Sequence, residues 1–349
     1  MNRIVIVIKI CIVNLICVIK NLLEYNKKEN KDDSTEFRTY KKLIFTSSFI
    51  QKWYVKDFSL DRWISELQML KDIGVKEIIL QSVVDTKNKY AMYPSEIDGY
   101  KINEKDIILL ALDAAESVDI KVRVGLGESN NWWKKGWCDF NWLKEEAEIN
   151  KKIVKEIFER YSNHKAFGGW YIPYEFSEFF STIKSQQINL NLFYKSIASE
   201  IKNKKSNFSI MISPFYNSNK YNIGCLKLWN KIVRYTLKDT AIDIVALQDS
   251  IGVGFNTTDN VGMLFCYTKK ATDSLGMKLY ADTETFNTVN GSNVSATQEE
   301  IFNRMSKVNP YVDSFVCFSI NHFQNKNEEN QIGNYEDYLK YYNENEETI

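Results

Sequence analysis

Histidine is scarce in this chain of 349 residues, which contains only His164 and His322. Two histidines cannot form a three-histidine zinc site, and they leave little room for a histidine-based catalytic triad. The sequence also has no His-x-His or His-Glu cluster, which disfavours a metal-dependent hydrolase. Asp282 and Glu284 are suited to a hard cation such as Ca²⁺, but two carboxylates are weak evidence for such a site. We therefore expect no metal and no cofactor.

Net charge is absent as well, because 45 Lys and Arg residues balance 45 Asp and Glu residues. Nucleic-acid-binding proteins normally carry a basic excess, so nucleic acid is not an expected partner. The six cysteines include no C-x-x-C pair, which argues against a zinc ribbon. Aromatic residues are abundant instead, with 8 Trp, 20 Tyr and 20 Phe. Such a surplus suits a large core and also a cleft that stacks flat ligands.

The N-terminus carries Arg3 and an apolar run over residues 4–18, followed by a polar stretch over residues 26–36. A basic start and a short apolar region are typical of a secretory signal or an uncleaved membrane anchor. An amphipathic helix or a buried strand is the alternative. We assign residues 1–24 to a signal peptide or membrane anchor, 25–42 to a polar linker and 43–349 to a single domain. The expected location is extracellular, either secreted or membrane-anchored.

From residue 43 onward, short apolar runs alternate with amphipathic stretches. The eight runs occupy residues 43–50, 76–83, 120–126, 167–174, 208–215, 243–250, 278–284 and 313–320. Strands that alternate with helices predict a parallel sheet. Eight such units predict an α/β fold of the (β/α)8 TIM-barrel type in a single domain. The alternative is a doubly wound open sheet, which is disfavoured because no run ends in a G-x-G-x-x-G turn.

The stretches between the runs carry helix start signals. Ser59 is expected to cap the first helix. Asn103 is expected to cap the second, with Asp106 three residues inside it, and Asn334 with Asp337 to open the last. These signals support helices between the strands.

TIM-barrel enzymes place their active sites at the C-terminal ends of the strands. The polar side chains at these ends are Gln51, Gln81, Glu128, Glu175, Asn217, Gln248, Asp249, Asp282, Glu284, Asn321 and His322. Alternate residues of a strand face the same side, so Glu175 shares its side with Tyr171, and Glu284 with Asp282. His164 precedes the fourth run and is expected at the opposite face. An inward-facing Arg123 would need a carboxylate partner, for which Asp282 or one of the two glutamates is expected.

Two carboxylic acids at the mouth of an aromatic pocket are what glycoside hydrolysis requires. One protonates the leaving oxygen, and the other acts as a nucleophile or as a base toward water. Trp132 and Trp133 lie near Glu128 in the segment after the third run. Their indoles are suited to stack on sugar rings, although packing of the loop onto the barrel is the alternative.

Six segments carry a resemblance to a known family: SFIQKW (48–53), KEIILQ (76–81), GGWYIPYEF (168–176), IMISPF (210–215), IVALQDSIG (244–252) and DTETF (282–286). They resemble a bacterial family of TIM-barrel candidate glycosidases that is catalogued as a domain of unknown function. The resemblance covers about residues 43–325. It implies an exported glycosidase-type barrel with Glu175, Asp249 and Glu284 in its motifs.

The chain also resembles the retaining barrel glycosidases of clan A, which carry an acid/base glutamate after strand 4 and a nucleophilic glutamate after strand 7. Glu175 and Glu284 stand at these two ends. The clan usually has Asn directly before the acid/base residue, whereas this chain has Tyr174. The contact to the sugar 2-hydroxyl is then expected from Gln248, Gln81 or Asn321.

The sequence thus predicts a retaining glycoside hydrolase that acts on an extracellular polysaccharide or glycoconjugate. The predicted catalytic residues are Glu175, Glu284 and Asp249, where Asp249 either assists or replaces Glu284 as the partner of Glu175. The predicted substrate contacts are Gln51, Gln81, Glu128, Trp132, Trp133, Tyr171, Tyr174, Gln248, Asp282, Asn321 and His322. A non-catalytic carbohydrate-binding barrel at the cell surface is the alternative, and a phosphate-ligand barrel is disfavoured because the last two strand-helix loops are poor in glycine.

Overall fold

The computed structural model describes residues 42–204, 207–218 and 225–346, so the predicted signal peptide or anchor lies outside the described residues. Eight parallel strands close into a barrel, and each strand pairs with its neighbours in chain order. The strands are β1 Ser47–Ile50, β2 Glu77–Leu80, β3 Lys121–Gly125, β4 Phe167–Tyr171, β5 Ser209–Ile212, β6 Ile244–Gln248, β7 Lys278–Glu284 and β8 Ser314–Phe318. Each one lies within a run predicted from the sequence, and the TIM-barrel prediction is confirmed.

Eight long helices follow the eight strands and cover the outside of the barrel. They are α1 Leu60–Asp72, α2 Ile107–Ser117, α3 Phe140–Tyr161, α4 Lys184–Asn203, α5 Leu226–Leu237, α6 Val261–Asp273, α7 Gln298–Val308 and α8 Ile332–Glu346. None of the helices in the described part of the chain has the length and apolarity that crossing a membrane requires.

Side-chain oxygens cap several of these helices. Ser59 accepts a hydrogen bond from the backbone N–H of Arg62 at 3.2 Å, as predicted for α1. The prediction for α2 is wrong by three residues, because Asp106 rather than Asn103 is the cap and accepts from Leu109 N at 3.0 Å. The last helix likewise begins at Ile332, two residues before the predicted start at Asn334.

Alternation along the strands separates two apolar regions. Side chains at every second position of a strand point into the barrel, where seven buried apolar residues pack together: Phe49, Ile79, Tyr171, Met211, Ile244, Ala246 and Val316. The intervening positions face the helices and join the larger core between the helices and the barrel. These side chains fill the middle of the barrel, so that cavities are left toward its two ends.

Arg123 forms an ion pair at the N-terminal end of the barrel. Its Nη2 atom lies 3.0 Å from Glu77 Oε1, and its Nη1 atom donates to Ser209 O at 2.8 Å. The expectation that Asp282 or one of the two glutamates is its partner is therefore wrong. Arg123 is the middle residue of β3, and its side chain extends to the N-terminal edge of the barrel, where Glu77 begins β2 and Ser209 begins β5.

A β-hairpin follows β7 and overhangs the C-terminal end of the barrel. Its strands are Phe286–Val289 and Ser292–Ser295, paired antiparallel. The turn residues Asn290 and Gly291 both have positive φ values, 52° and 80°, which is the geometry that an Asn-Gly turn provides. The hairpin thus supplies side chains above the barrel mouth.

Candidate active site

A cavity of about 270 Å³ opens at the C-terminal end of the barrel. Its walls are formed by Phe49, Gln81, Tyr171, Glu175, Ser213, Gln248, Val253, Asp282, Glu284, Phe286, Asn293 and Phe318. Larger cavities of about 530 and 570 Å³ lie at the opposite end, beside the segments that precede β6 and β7 and around Arg123. The smaller cavity is the candidate active site, because it lies where TIM barrels place catalysis and three carboxyl groups line it.

Glu175 lies four residues beyond β4 and reaches the cavity wall. Burial raises the pKa of its carboxyl from 4.5 to about 7, while a hydrogen bond from Gln248 opposes the shift and the charge of Glu128 adds to it. A carboxylic acid with a pKa near 7 is partly protonated at neutral pH and can donate that proton. Glu175 therefore has the properties of a general acid.

Glu284 is the last residue of β7 and faces the same cavity. Its Oε2 atom accepts a hydrogen bond from the backbone N–H of Val253 at 2.9 Å. Gly252 permits this contact, because a Cβ atom there would lie 2.1 Å from Phe286 O and 2.9 Å from Glu284 Oε2. The glycine of the LQDSIG motif thus brings a backbone donor against one oxygen of the Glu284 carboxyl group.

Asp249 lies behind Glu284 and does not line the cavity. Its Oδ1 atom accepts hydrogen bonds from Ile251 N at 3.1 Å and from Glu284 N at 3.4 Å. Burial raises the pKa of both carboxyl groups, to about 6 for Asp249, and the charge of Asp249 further raises the pKa of Glu284. This placement favours Glu284 over Asp249 as the group that can reach a substrate.

Asp282 lies below Glu284 on the same side of β7 and is buried. Ser213 donates a hydrogen bond to its Oδ2 atom at 2.7 Å, whereas Oδ1 has no partner among the described residues. Burial raises its pKa well above the ordinary value, and the charges of Asp249 and Glu175 act in the same direction. A buried oxygen without a partner at a cavity wall is a natural contact for a ligand hydroxyl.

Arg304 of α7 is a cation whose charge acts on Asp249 and Glu284. It is buried and donates from Nη1 to the backbone oxygens of Glu284 and Phe286, at 3.0 Å for the latter, and from Nη2 to Asn287 Oδ1. Its charge lowers the pKa of Asp249 and of Glu284. Because it binds backbone atoms from behind, it fixes the start of the hairpin and leaves the cavity wall acidic.

The amides predicted at the ends of β1 and β2 lie at the opposite wall. Gln81 lines the cavity and accepts a hydrogen bond from Gln51 Nε2 at 2.8 Å. Gln51 itself does not line the cavity. Glu128 also lies outside the cavity, where it forms an ion pair with Lys52. Among the predicted substrate contacts, Gln81, Tyr171, Gln248 and Asp282 thus line the cavity.

Three predicted substrate contacts point away from the cavity, and we correct them. Trp132 is 2% exposed and is packed among the aromatic rings between the barrel and its helices. Tyr174 is buried with its hydroxyl bonded to Glu146 of α3, because the position before Glu175 faces the helices. Asn321 donates to Glu66 of α1 at 2.7 Å, since the chain turns into a short helix, Ile320–Phe323, directly after β8.

His322 and Trp133 lie near the mouth without lining the cavity. His322 is largely enclosed by aromatic rings, and Trp133 is 50% exposed beside Phe180 and Phe215. Their roles as substrate contacts stay predictions. His164 lies at the other end of the barrel with its Nε2 atom 3.2 Å from Asp113, as expected for a structural histidine.

Six of the lining residues were not predicted from the sequence, although most of them stand at positions that a sequence pattern marks. Ser213 directly follows β5, whereas the chosen residue, Asn217, binds Glu178 through its backbone N–H. Phe318 ends β8 on the inner side, two residues after Val316. The hairpin that supplies Phe286 and Asn293 was signalled by the Asn-Gly pair.

Within the described ranges, no group of three or more His, Cys, Asp or Glu side chains is arranged to hold a metal ion. The four acids near the cavity lie on β7 and in the segments after β4 and β6.

Comparisons with known proteins agree with the barrel. The family described as "Domain of unknown function (DUF4434)" matches residues 45–331. A candidate alpha-L-fucosidase from Bacteroides thetaiotaomicron VPI-5482 has a TM-score of 0.74 at 22% identity, over 91% of this chain and 99% of that one. No curated protein matches the chain.

Two mannanases share the fold more distantly. The endo-1,4-beta-D-mannanase of Thermotoga petrophila RKU-1 has a TM-score of 0.52 at 16% identity, over 78% of this chain and 87% of that one. The endo-1,4-beta-mannanase of Rhizomucor miehei has a TM-score of 0.54 at 13% identity, over 83% and 88%. Identities this low show a common barrel architecture.

Proposed function

The chain belongs to the DUF4434 family, a domain of unknown function, and from this premise we propose that it is a retaining glycoside hydrolase. One observation carries the proposal. Glu175 and Glu284, at the ends of β4 and β7, line the same cavity, and the pKa of Glu175 is raised to about 7. A protonated acid and a second carboxyl group in one aromatic-walled cavity are the two groups that the reaction needs.

In the first step, Glu175 donates its proton to the glycosidic oxygen as the bond from that oxygen to the anomeric carbon breaks. Glu284 attacks the anomeric carbon through one carboxylate oxygen, forming a glycosyl ester and releasing the alcohol. In the second step, Glu175, now ionised, removes a proton from water. The resulting hydroxyl attacks the anomeric carbon, the ester bond breaks, and the sugar leaves with its original configuration.

The other cavity residues are placed to hold the sugar. Gln248 contacts Glu175 and lies beside Asp282 across the β6–β7 pairing, so it can reach a hydroxyl between them. Gln81 offers an amide from the opposite wall. Phe49, Phe286 and Phe318 supply apolar surface, which excludes water around the reacting bond and strengthens the electrostatic interactions there.

The names of the related structures supply the first substrates to test. One is a candidate alpha-L-fucosidase, and two are endo-1,4-beta-mannanases. We therefore propose α-L-fucosides and β-1,4-mannans as the first substrates of the panel.

The test is a glycan panel assay with the wild type, Glu175→Gln and Glu284→Gln, and with Glu145→Gln as a matched control. Glu145 is an exposed carboxylate on α3 that does not line the cavity. We expect product of retained anomeric configuration from the wild type and the control, and a loss of about 10³-fold or more in both active-site variants. Azide should restore turnover to a Glu284→Gly variant, with formation of a glycosyl azide.

Two results would overturn this function. One is the absence of cleavage of every glycoside in the panel by the wild type. The other is equal activity in the wild type and both active-site variants. Binding of glycans without cleavage would instead favour the non-catalytic carbohydrate-binding barrel.

We also propose that the enzyme acts outside the cytoplasm, as a secreted or membrane-anchored protein. The basic start and the apolar run over residues 4–18 support this location. The test compares the full chain with a variant that lacks residues 1–24, both carrying a C-terminal tag, by cell fractionation. Recovery of both proteins in the cytoplasmic fraction would contradict export.

A further inference from the structure

Trp53 is a large aromatic residue on the surface beside the barrel mouth. It follows β1 in a short helix, Lys52–Val55, and 61% of its surface is exposed. An exposed indole offers a large apolar surface, so one beside a cavity is suited to pack against a bound ligand.

The surroundings of Trp53 hold its ring in one orientation. The His322 ring stacks on one face, with centroids 5.1 Å apart and an interplanar angle of 19°. The Nε1 atom donates a hydrogen bond to Gln51 Oε1 at 3.0 Å. Tyr54 packs edge-on against both rings. One indole face is thereby covered, while the exposed surface belongs to the remainder of the ring.

His322 acts as a flat apolar support in this stack. Neither of its ring nitrogens has a hydrogen-bond partner among the described residues. Burial lowers the pKa of the imidazole to about 4, so the ring is neutral at neutral pH. A neutral ring can stack on an indole without bringing a charge to the rim.

Two routes of contact place Trp53 next to the cavity. Through hydrogen bonds, it is joined to Gln51 and Gln51 is joined to Gln81, which lines the cavity. Through ring contacts, it is joined to His322, whose centroid lies 6.4 Å from that of the cavity residue Phe318. The exposed indole therefore lies one side chain away from the cavity wall.

We propose that Trp53 is the stacking platform of a second sugar subsite, which binds a neutral pyranose linked to the residue held in the cavity. A pyranose face presents C–H groups that suit the negative face of an indole, and the fixed ring needs no ordering when the sugar binds. The site thus favours substrates of at least two sugar residues. This inference rests on the proposed function.

The test separates substrates that reach Trp53 from those that do not. Oligosaccharides such as mannotetraose and 2′-fucosyllactose contain further rings, whereas the matching glycosyl fluorides contain only one. For Trp53→Ala we expect KM for the oligosaccharide to rise about tenfold or more, with kcat changed by less than about twofold, and no change for the fluoride. Trp53→Phe should recover most of the loss, because it keeps an aromatic face.

Tyr235→Ala is the matched control, since Tyr235 is 60% exposed on α5 beside the other end of the barrel and should affect neither substrate. Equal KM values for wild type and Trp53→Ala on an oligosaccharide that the wild type cleaves would overturn the stacking role of Trp53. The proposed hydrolase function would be unaffected by that result. If the wild type binds glycans without cleaving them, only the hydrolase function fails. The affinities of the wild type and Trp53→Ala, measured by calorimetry, then test the platform, and equal affinities would overturn it. If the wild type neither binds nor cleaves any of these glycans, both proposals fall.

Discussion

The indole Nε1 atom of Trp132 donates a hydrogen bond to the backbone carbonyl of Glu175, with 2.7 Å between the nitrogen and the oxygen. Trp132 itself stacks on Phe180 at 5.3 Å and is 2% exposed. A residue expected from the sequence to hold a sugar instead fixes the backbone that carries the proposed acid. Its contribution to catalysis is therefore indirect, through the position of Glu175.

Substitution of Trp132 distinguishes this role from sugar binding. Trp132→Phe keeps much of the packing but loses the N–H donor, so we expect kcat to fall by about tenfold with little change in KM. Trp132→Ala should also lower the free energy of unfolding by about 3–5 kcal/mol, because it opens a cavity in the core. Urea unfolding and steady-state kinetics measure the two effects. A raised KM with unchanged stability would show that Trp132 contacts the substrate.

Glu175 should make the stability of the protein depend on pH. Its pKa is about 7 in the folded state and 4.5 ordinarily, so the folded state binds a proton that the unfolded state releases between these values. The stability due to the neutral carboxyl is fully present below pH 4.5 and is lost as the pH rises through about 7.

Glu175→Gln removes this dependence, because the amide is neutral at every pH. We expect its melting temperature to exceed that of the wild type by a few degrees at about pH 8 and to match it near pH 4. Calorimetry across this range, with Glu145→Gln as the control, provides the measurement. A constant difference at all pH values would mean that the carboxyl does not titrate as stated.

Asp249 should tune Glu284 rather than react itself. Burial and the charge of Asp249 raise the pKa of Glu284, and Asp249→Asn removes that charge. The ionised form of Glu284 then persists to lower pH, so the acidic limb of the kcat/KM profile should move to lower pH.

The same variant should retain part of its activity, with kcat lowered by about 10- to 100-fold as for a positioning residue. Azide should not rescue it. Complete inactivity of Asp249→Asn together with azide rescue of Asp249→Gly would assign the nucleophile to Asp249.

The cavity should exclude anionic sugars, because none of its described lining residues offers a basic partner to their carboxylate group. Glu175, Asp282 and Glu284 line it, and none of its lining residues in the described chain is Lys, Arg or His. A uronic acid would bury its carboxylate without a partner, at a cost of several kcal/mol. We expect each aryl hexoside to be cleaved at least about 100-fold faster than the matching hexuronide. Comparable kcat/KM values within one such pair would contradict this expectation.

The barrel could be predicted because each strand and each helix has a recognisable pattern in its own short segment of the sequence. Alternating β-rich runs and capped amphipathic stretches are short-range patterns, and eight repeats leave few ways to bury the sheet. The same logic located Glu175 and Glu284, since a strand end and its alternation are sequence properties. Errors arose three residues past the strands, at Tyr174 and Asn321, because the direction of the chain after a strand is set by what it packs against.

Sequence alone determined the histidine scarcity, the balanced charge, the eight-unit barrel and the strand ends at which the acids stand. Only the tertiary structure decided that Arg123 pairs with Glu77, that Trp132 supports Glu175, and that Asp249 lies behind Glu284. It also decided that the Trp53 ring stacks on His322, 269 residues further along the chain, and that 61% of the Trp53 surface is exposed. The reason is that partners in a closed barrel come from distant segments, and their choice depends on burial and on the packing of whole elements.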